Sequence, residues 1–457
     1  MSIAHSWKSH AFKFAAASII FAAGHGLCRA AEEPPRAADE SVTQMRAEIE
    51  ELKSQLRALK DQVDALARAQ AGTTTPVAQV PAAPPPAPQP PPAPVSRAGG
   101  STVFNPAMSA VFQGIGNGSF NHNRDGDGFS LSEAEIGLQA VVDPYARVDM
   151  FIAFGAEGEA EVEEAYVTFQ TLPGGLQAKA GRFKDAFGKW NLLHNHAFFT
   201  VDRPNALTNF FGEESLTGDG ASLSWLVPGT GSAFVESVTD IASTGNDVSF
   251  NARRRDLLLL EHVSSVFTLT SNATFETGGT WAKGRGGPSE ALTQAIDDAG
   301  LTGTVVPSDR LAANLFGVDL TYKWKPVQFN VYRSVTLQAE GIASRRRVES
   351  LQPGGFLTRD TVNSFGGYLY AEYQFAKRWR AGLRYDDSEF PDDDSARERA
   401  ASAVLRIQPT EFEEFRIQFK HTGRNDAAAF RFDGIQSDNE VFIEWIPVIG
   451  AHAAHKY

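Results

Sequence analysis

Two closely spaced histidines offer the clearest metal-binding chemistry in this sequence. His194 and His196 are separated by one residue, so in an extended chain both imidazoles project to the same side. With a third ligand such as Asp202 they could hold a zinc ion, which accepts imidazole nitrogen and carboxylate oxygen. The chain has no H-E-x-x-H motif, and the other close pair is His452 with His455. We therefore expect structural hydrogen bonding for His194 and His196, with zinc as the alternative.

A second candidate metal site is the acidic loop 123–128, with the sequence Asn-Arg-Asp-Gly-Asp-Gly. Carboxylates at alternate positions around a glycine turn can wrap a calcium ion. The bidentate glutamate that closes such a loop would fall at position 134, which is Ala134, and the flanking segments have the pattern of strands. A polar surface loop is the expected structure, and calcium binding is the alternative.

The composition excludes several classes of protein. A formal charge of −13 argues against nucleic-acid binding, because phosphate contacts need a basic surface. The chain has no nucleophile motif of the G-x-S-x-G type, so we expect no enzymatic activity. The mean hydropathy of −0.25 excludes a multi-helix membrane protein but suits a barrel, in which only alternate strand residues are apolar.

The first 30 residues predict a secretory signal peptide. Lys8 and Lys13 precede an apolar stretch, residues 14–24. That stretch is too short to cross the roughly 30 Å of a membrane as a helix. Small residues follow it, and we expect cleavage after Ala30. The single cysteine, Cys28, lies within this signal, so we expect no disulfide or thiolate chemistry in the mature chain.

Residues 31–70 and 71–100 predict a periplasmic coiled coil and a proline-rich tether. Apolar residues from Val42 to Leu66 alternate in steps of three and four, which is a heptad pattern about four repeats long. Such a pattern favours self-association into dimers or trimers, although a lone amphipathic helix would show it too. Residues 75–95 hold two runs of three prolines, which favour extended conformations and form a semi-rigid spacer.

From residue 101 to residue 457 the apolar pattern has a period of two, which is typical of β-strands. Ala381 and Leu383, for example, alternate with Arg380 and Arg384. About 16 such segments begin near residues 108, 130, 145, 160, 175, 219, 231, 256, 273, 313, 327, 364, 378, 399, 413 and 438. The predicted fold is all-β, a transmembrane antiparallel β-barrel of about 16 strands preceded by the short α-helical coiled coil.

Features other than the two-residue apolar period distinguish a membrane barrel from a soluble antiparallel sheet. Aromatic residues cluster at the ends of the predicted strands, and an export signal precedes them. The connections alternate in length, as they do in outer-membrane barrels. Asp143-Pro144 and residues 172–175 predict periplasmic turns, whereas 189–218, 284–310 and 343–361 predict external or pore-folded loops.

Short motifs across the barrel segment resemble porin-like outer-membrane proteins of Gram-negative bacteria. The stretches are Phe104-Asn105-Pro106, 129–135, 142–145, 162–166, 181–183, 194–196, 201–204 and the tail 450–455. They are similar to the group often labelled zinc-regulated TonB-dependent outer membrane receptors and, more loosely, to phosphate-selective porins. The resemblance implies a bacterial outer-membrane barrel that transports solutes. We expect no N-terminal plug of the TonB-dependent kind, because residues 31–100 are already predicted to form helix and tether.

If the apolar face of each strand meets lipid, the alternate face lines a lumen wide enough for water. The expected pore-lining residues are Arg378, Arg380, Arg384, Arg406, Arg416, Lys420, Asp149, Glu164, Asp319 and Glu372. Opposed rows of charge would select weakly among solutes, whereas solvated charges that balance one another would not. We expect the arginine triplets 253–255 and 345–347 to be solvated loop ends or contacts to lipopolysaccharide phosphates, with a role in the pore as the alternative.

The sequence thus predicts a homo-oligomeric outer-membrane porin, a dimer or trimer, for passive diffusion of small hydrophilic solutes or ions. Its N-terminal segment would lie in the periplasm, and lipid and lipopolysaccharide would surround the barrel. A TonB-coupled or zinc-linked uptake receptor and a structural outer-membrane anchor are the alternatives. We expect no catalytic residue, no nucleic-acid partner and no cofactor, unless one of the two candidate sites binds zinc or calcium.

Overall fold

Sixteen β-strands make up most of the chain that the computed structural model describes, which is residues 106–120, 127–156, 158–231, 233–244, 248–252, 255–327 and 332–450. The strands are β1 (Ala107–Ser119), β2 (Gly128–Val141), β3 (Ala146–Gly155), β4 (Ala160–Leu172), β5 (Leu176–Lys184), β6 (Thr217–Leu226), β7 (Ala233–Thr244), β8 (Leu258–Thr270), β9 (Ala273–Gly286), β10 (Leu311–Trp324), β11 (Ser334–Gln352), β12 (Phe356–Ala376), β13 (Trp379–Phe390), β14 (Asp393–Thr410), β15 (Glu413–Arg424) and β16 (Ser437–Gly450). Three short helices lie in connections: α1 (Asn205–Phe211), α2 (Glu290–Asp298) and α3 (Asp426–Phe430).

The predicted signal peptide (1–30), coiled coil (31–70) and tether (71–100) lie outside the described residues. So do the tail histidines, the first two arginines of the triplet 253–255 and most of the acidic loop 123–128. Among the described residues, every helix is too short or too polar to span a bilayer.

The strands close into a single antiparallel barrel. Each strand pairs with its neighbours in sequence, and β1 pairs with β16 from Ser109 opposite Gly450 to Ser119 opposite Glu440. Because the number of strands is even, β1 begins and β16 ends at the same end of the barrel, which we call the turn end. Most connections there are short, such as 271–272, 377–378 and 411–412, whereas the opposite loop end carries 185–216 and 287–310. The predicted all-β barrel of 16 strands is confirmed.

The two faces of the barrel wall differ in chemistry, as the period of two predicts. On β12, Leu369 is 62% exposed on the outside, whereas its neighbour Tyr370 is 2% exposed on the inside. On β10, Val318 is 56% exposed and Asp319 is 1% exposed. The outer face is therefore apolar, and the inner face carries the polar and charged side chains.

All predicted strand starts except three lie within two residues of the observed starts. The exceptions are the starts of β11, β12 and β14, and the loop predicted at 343–361 is wrong. There β11 and β12 stay paired up to a turn at residues 353–355, and Arg346 lies inside β11 opposite Val362. The hairpin rises beyond the apolar outer belt, so both of its faces are polar and the alternation that marks a membrane strand disappears.

Candidate functional site

The connection between β5 and β6, residues 185–216, folds into the barrel and is called the lumen loop below. Trp190, Leu207 and Phe210 in this loop have no exposed surface. Gly188 allows the chain to turn inward, because its φ of +60° suits glycine and a Cβ there would collide with the Glu340 carboxylate. The predicted loop at 189–218 is thus confirmed as a pore-folded one.

One side of the lumen loop packs against an apolar part of the barrel wall. The Trp190 ring lies 5.4 Å from the rings of Phe198 and Tyr368, and 5.5 Å from the ring of Phe199. The buried residues of β8 to β12 in this cluster are Leu258, Leu260, Ala282, Ala313, Leu315, Ile342, Tyr368 and Tyr370, and Phe250 of the β7–β8 connection and Val404 of β14 are buried with them. We call the part of the wall formed by β8 to β12 the apolar wall. Each buried large side chain contributes about 1.5–3 kcal/mol, so this contact holds the loop firmly in place.

Hydrogen bonds to one buried carboxylate fix the start of the loop on the same wall. Glu340 on β11 accepts from the backbone N–H groups of Trp190 at 2.8 Å and Lys189 at 3.2 Å. It also accepts from the hydroxyl of Tyr368 at 2.9 Å. These donors satisfy a carboxylate that would otherwise be costly to bury.

Charged groups hold the other side of the lumen loop, on strands β13 to β15, which we call the charged wall. Arg384 pairs with Asp202 of the loop and with Asp386, both at 2.8 Å. Lys420 reaches the same Asp202 carboxylate at 2.6 Å. Burial disfavours the ionised Asp202, but Arg384 and Lys420 outweigh it and hold the pKa of this carboxyl below its usual range.

Further ion pairs extend the charged wall below Asp202. Arg406 lies 2.7 Å from Glu414 and 2.8 Å from Glu372. Arg416 lies 2.8 Å from Glu414 and 3.0 Å from Glu444, and it donates to the His196 carbonyl at 2.7 Å. The structure therefore brings the predicted residues Arg384, Arg406, Arg416, Lys420 and Glu372 together, but each cation faces carboxylates that balance it.

The remaining predicted pore-lining residues are spread around the barrel. Asp149 on β3 pairs with Arg147 at 2.6 Å, and Asp319 on β10 lies 3.9 Å from His262. Arg380 is a partly exposed lumen side chain that donates to Gln408 at 3.1 Å. Arg378 does not line the lumen, because it occupies the exposed two-residue turn between β12 and β13.

His194 and His196 lie together where the lumen loop meets β2 and β4. Their ring centroids are 5.7 Å apart. Burial and Lys184 disfavour a charged His194, but its bonds to Glu135, Glu163 and Glu164 outweigh them and raise its pKa well above the usual value. The predicted third ligand, Asp202, is instead engaged by the charged wall, so the trio of the sequence prediction does not assemble.

Sequence reasoning placed Glu164 in the pore lining but linked none of the surrounding carboxylates to the two histidines. Glu133 and Glu135 alternate along β2 and both face inward. Two consecutive residues of β3, Phe151 and Ile152, pair with Glu164 and Val162 of β4. Glu163 between them has no partner position on β3 and is therefore the extra residue of a β-bulge. The bulge turns two consecutive glutamates toward the same histidine. An alternating Glu-x-Glu and an adjacent Glu-Glu were the available signals.

A cavity of ≈ 390 Å³ lies beside this cluster, at the loop end of the barrel. Its carboxylate lining consists of Glu133, Glu159, Glu161, Glu163, Glu214 and Asp219. The cationic side chains in the lining are Arg182 and Lys184. The excess of carboxylates makes this acidic cavity attractive to cations.

Comparison with known proteins gives limited similarity. No protein-family model matches the chain. An uncharacterised protein of Aquifex aeolicus is 29% identical over 377 residues, which cover 77% of this chain and 74% of that protein.

Solved structures that match about three quarters of this chain include porins and other outer-membrane proteins. The trimer form of OmpT of Vibrio cholerae is 9% identical with a TM-score of 0.46, over 76% of this chain and 99% of that chain. The outer-membrane channel DcaP of Acinetobacter baumannii is 10% identical with a TM-score of 0.46, over 75% and 97%. An anion-selective porin from Comamonas acidovorans is 10% identical with a TM-score of 0.46, over 76% and 99%.

Proposed function

We propose that this protein is an outer-membrane channel of a Gram-negative bacterium, through which small hydrophilic solutes and ions diffuse passively. The observation that carries the proposal is a closed barrel with an apolar outer face and a charged lumen. Closure satisfies every strand edge, which a bilayer demands. A barrel of about sixteen strands is wide enough to hold water, and the lumen loop narrows it.

The proposed channel prefers cations weakly. The arginines of the charged wall are balanced by Asp202, Asp386, Glu372, Glu414 and Glu444, so they offer little field to an anion. The acidic cavity at the loop end is not balanced in this way. A solute that enters from that end therefore meets a negative potential before it reaches the lumen loop.

The barrel size favours a channel over a TonB-coupled receptor. Barrels of that receptor class have about 22 strands and a separate plug. Sixteen strands enclose less space, and in the described residues this lumen is occupied by a loop of the barrel itself.

Planar-bilayer recording of the purified full-length protein tests the proposal. We expect stable ohmic steps and a reversal potential that favours potassium over chloride in a salt gradient. The double variant Glu159→Gln, Glu161→Gln should reduce that preference, while Glu411→Gln, in a turn at the opposite end, should leave it unchanged. Silent membranes with folded protein would refute passive diffusion.

We propose lipopolysaccharide as a neighbour of the barrel at its loop end. Lys283 of β9 and the pair Arg345 and Arg347 of β11 lie on the outer face on either side of β10, just beyond the apolar residues Trp281 and Phe316. Exposed cations at this height suit the phosphates of an outer leaflet. Replacing the three cations with glutamine should lower retention of lipopolysaccharide during purification, measured by phosphate content.

We also propose that copies of the chain associate through the outer face of β7 and β8. There Glu261 points outward between Leu259 and Val263, and it accepts hydrogen bonds from Ser237 at 2.6 Å and Thr239 at 2.5 Å. A carboxylate and two hydroxyls facing hydrocarbon are costly, so a covering subunit would stabilise them. Polar patches of this kind suit a subunit contact better than lipid.

Light scattering in detergent tests this contact. Ser237→Trp should break the oligomer, because it adds bulk at the contact while keeping a side chain that lipid tolerates. Ala339→Trp, on the outer face of β11, is the matched control and should leave the mass unchanged. Equal masses for both variants would remove this face as the interface.

A further inference from the structure

The arrangement around His194 is unusual for a simple salt bridge. The Nδ1 atom of His194 lies 2.8 Å from Oε2 of Glu135 and 2.6 Å from Oε2 of Glu163. One ring nitrogen carries at most one hydrogen, so it cannot donate fully to both carboxylates at these distances. Three electron-rich atoms instead converge on one point, as the ligands of a metal ion do.

The second ring nitrogen of His194 has a partner that would prepare Nδ1 for this role. Nε2 lies 2.9 Å from Oε2 of Glu164. With its proton on Nε2, the imidazole donates to Glu164 and turns the lone pair of Nδ1 toward Glu135 and Glu163. A carboxylate on the far nitrogen is the usual support of a metal-binding histidine.

His196 supplies a further ligand atom on the same side of the loop. Its Nδ1 lies 3.7 Å from Oε2 of Glu135. The ligand atoms of Glu133, Glu135 and His196 lie within 4.8 Å of one another, and so do those of Glu135, Glu163 and His194. Glu135 is shared by both groups and is 1% exposed, so it is the centre of the cluster.

The charges around this point call for a cation. The lysines near the carboxylates of Glu133, Glu135, Glu163 and Glu164 are Lys184, whose ammonium group donates to the Leu193 carbonyl at 2.9 Å, and Lys179, which acts on Glu164. Carboxylates thus outnumber cationic side chains in a buried place, where negative charges are costly to hold together. A divalent cation supplies positive charge there without a proton on the imidazole.

We propose that Glu135, Glu163, His194 and His196 form a divalent-metal site that takes zinc, with Glu133 beside it and Glu164 orienting His194. Mixed imidazole and carboxylate ligands suit zinc, whereas calcium and magnesium prefer oxygen ligands alone. The acidic cavity provides the entry path, because Glu133 and Glu163 line both the cavity and the cluster. The metal would tie the lumen loop to β2 and β4, whether or not solutes pass through the barrel.

Zinc titration of the full-length protein, after removal of metal by chelator and dialysis, tests the proposal. We expect one tight zinc equivalent per chain by elemental analysis and a higher melting temperature with zinc than with calcium or magnesium. The double variant His452→Gln, His455→Gln should keep that equivalent, which separates the site from the tail histidines. His421→Gln, on the outer face of β15, is a second control and should bind as the unmodified chain does.

Variants of the proposed ligands decide the matter. Glu163→Gln and His194→Gln should each weaken zinc binding by at least about tenfold and abolish the rise in melting temperature. Glu164→Gln, which leaves every ligand in place, should weaken binding less and so covers the case in which His194→Gln does not fold. Absence of stoichiometric zinc, or a zinc affinity in all three variants equal to that of the unmodified chain, would overturn the site. The cluster would then be a group of carboxylates and imidazoles that share protons.

Discussion

The lumen loop is held by two walls of opposite chemistry. Against the apolar wall it buries Trp190, Phe210 and Leu207 in a dry cluster with Leu260 and Leu315. Against the charged wall it offers Asp202 to Arg384 and Lys420. The apolar contact is insensitive to pH and salt, whereas the charged contact depends on the ionisation of groups such as Asp202, whose side chain is 19% exposed.

The difference indicates which side of the loop is the anchor and which side lines the solute path. A dry contact leaves no room for a hydrated solute, so passage along the apolar wall is blocked. The charged wall keeps polar groups and partly exposed side chains such as Arg380 at the lumen surface. Substitutions on the two walls should therefore have effects that differ in kind as well as in size.

The largest effect is expected for Trp190→Ala. Removing a fully buried tryptophan from a packed cluster costs about 3–5 kcal/mol, through lost burial and the cavity left behind. The loop should then detach from the apolar wall, and protease should cut within residues 185–216 much faster than in the unmodified chain. Phe316→Ala, which removes an aromatic from the outer face, is the control. Equal cleavage of both variants would mean that the cluster does not anchor the loop.

A somewhat smaller loss of stability is expected for Arg384→Met on the charged wall. The substitution leaves Asp202 and Asp386 buried without their shared guanidinium, which costs about 3 kcal/mol because Lys420 still pairs with Asp202. Urea unfolding measures the loss. Arg380→Gln is the matched control, and as a partly exposed cation it should cost about 1 kcal/mol or less. A similar loss from the two variants would contradict the assignment of Arg384 as the buried partner.

A pH dependence of the charged wall is the third expectation, and the smallest. The pKa of Asp202 is lower in the folded protein than its unfolded value of 3.8. Its stabilising effect is therefore complete above that value and disappears as the pH falls through the lower folded pKa. Urea unfolding between about pH 6 and about pH 2 should show this loss, and Asp202→Asn should remove Asp202's share of it. An unchanged acid loss in that variant would assign the effect to other carboxylates.

The fold was predictable from the sequence because a barrel wall repeats one local rule. Alternating apolar and charged residues located the strands, and an even strand count follows from closure with both termini at one end. The rule failed at β11 and β12, whose upper halves carry polar residues on both faces and so resemble a loop. Residues such as Arg346 and Val362 pair there with no apolar pattern to mark them.

The site was only partly predictable. Charged inner positions such as Arg384 and Arg416 follow from the period, but their carboxylate partners come from strands and loops far away in sequence. One local pattern in the sequence indicates the apolar wall. The four leucines from Leu257 to Leu260 place apolar residues on the inner as well as the outer face of β8. The pairing of His194 with Glu135 depends on how residues 185–216 fold back into the barrel, and no local pattern specifies that path.

Single-channel conductance of the full-length protein with and without the lumen loop tests the central claim most directly. In one variant a short glycine-serine linker replaces residues 189–213, which keeps β5 and β6 and removes the contacts to both walls. We predict that this variant still inserts into bilayers and that its conductance steps are several times larger, because the loop is the constriction. Steps of unchanged size would contradict the account, since the narrowest part of the path would then lie elsewhere.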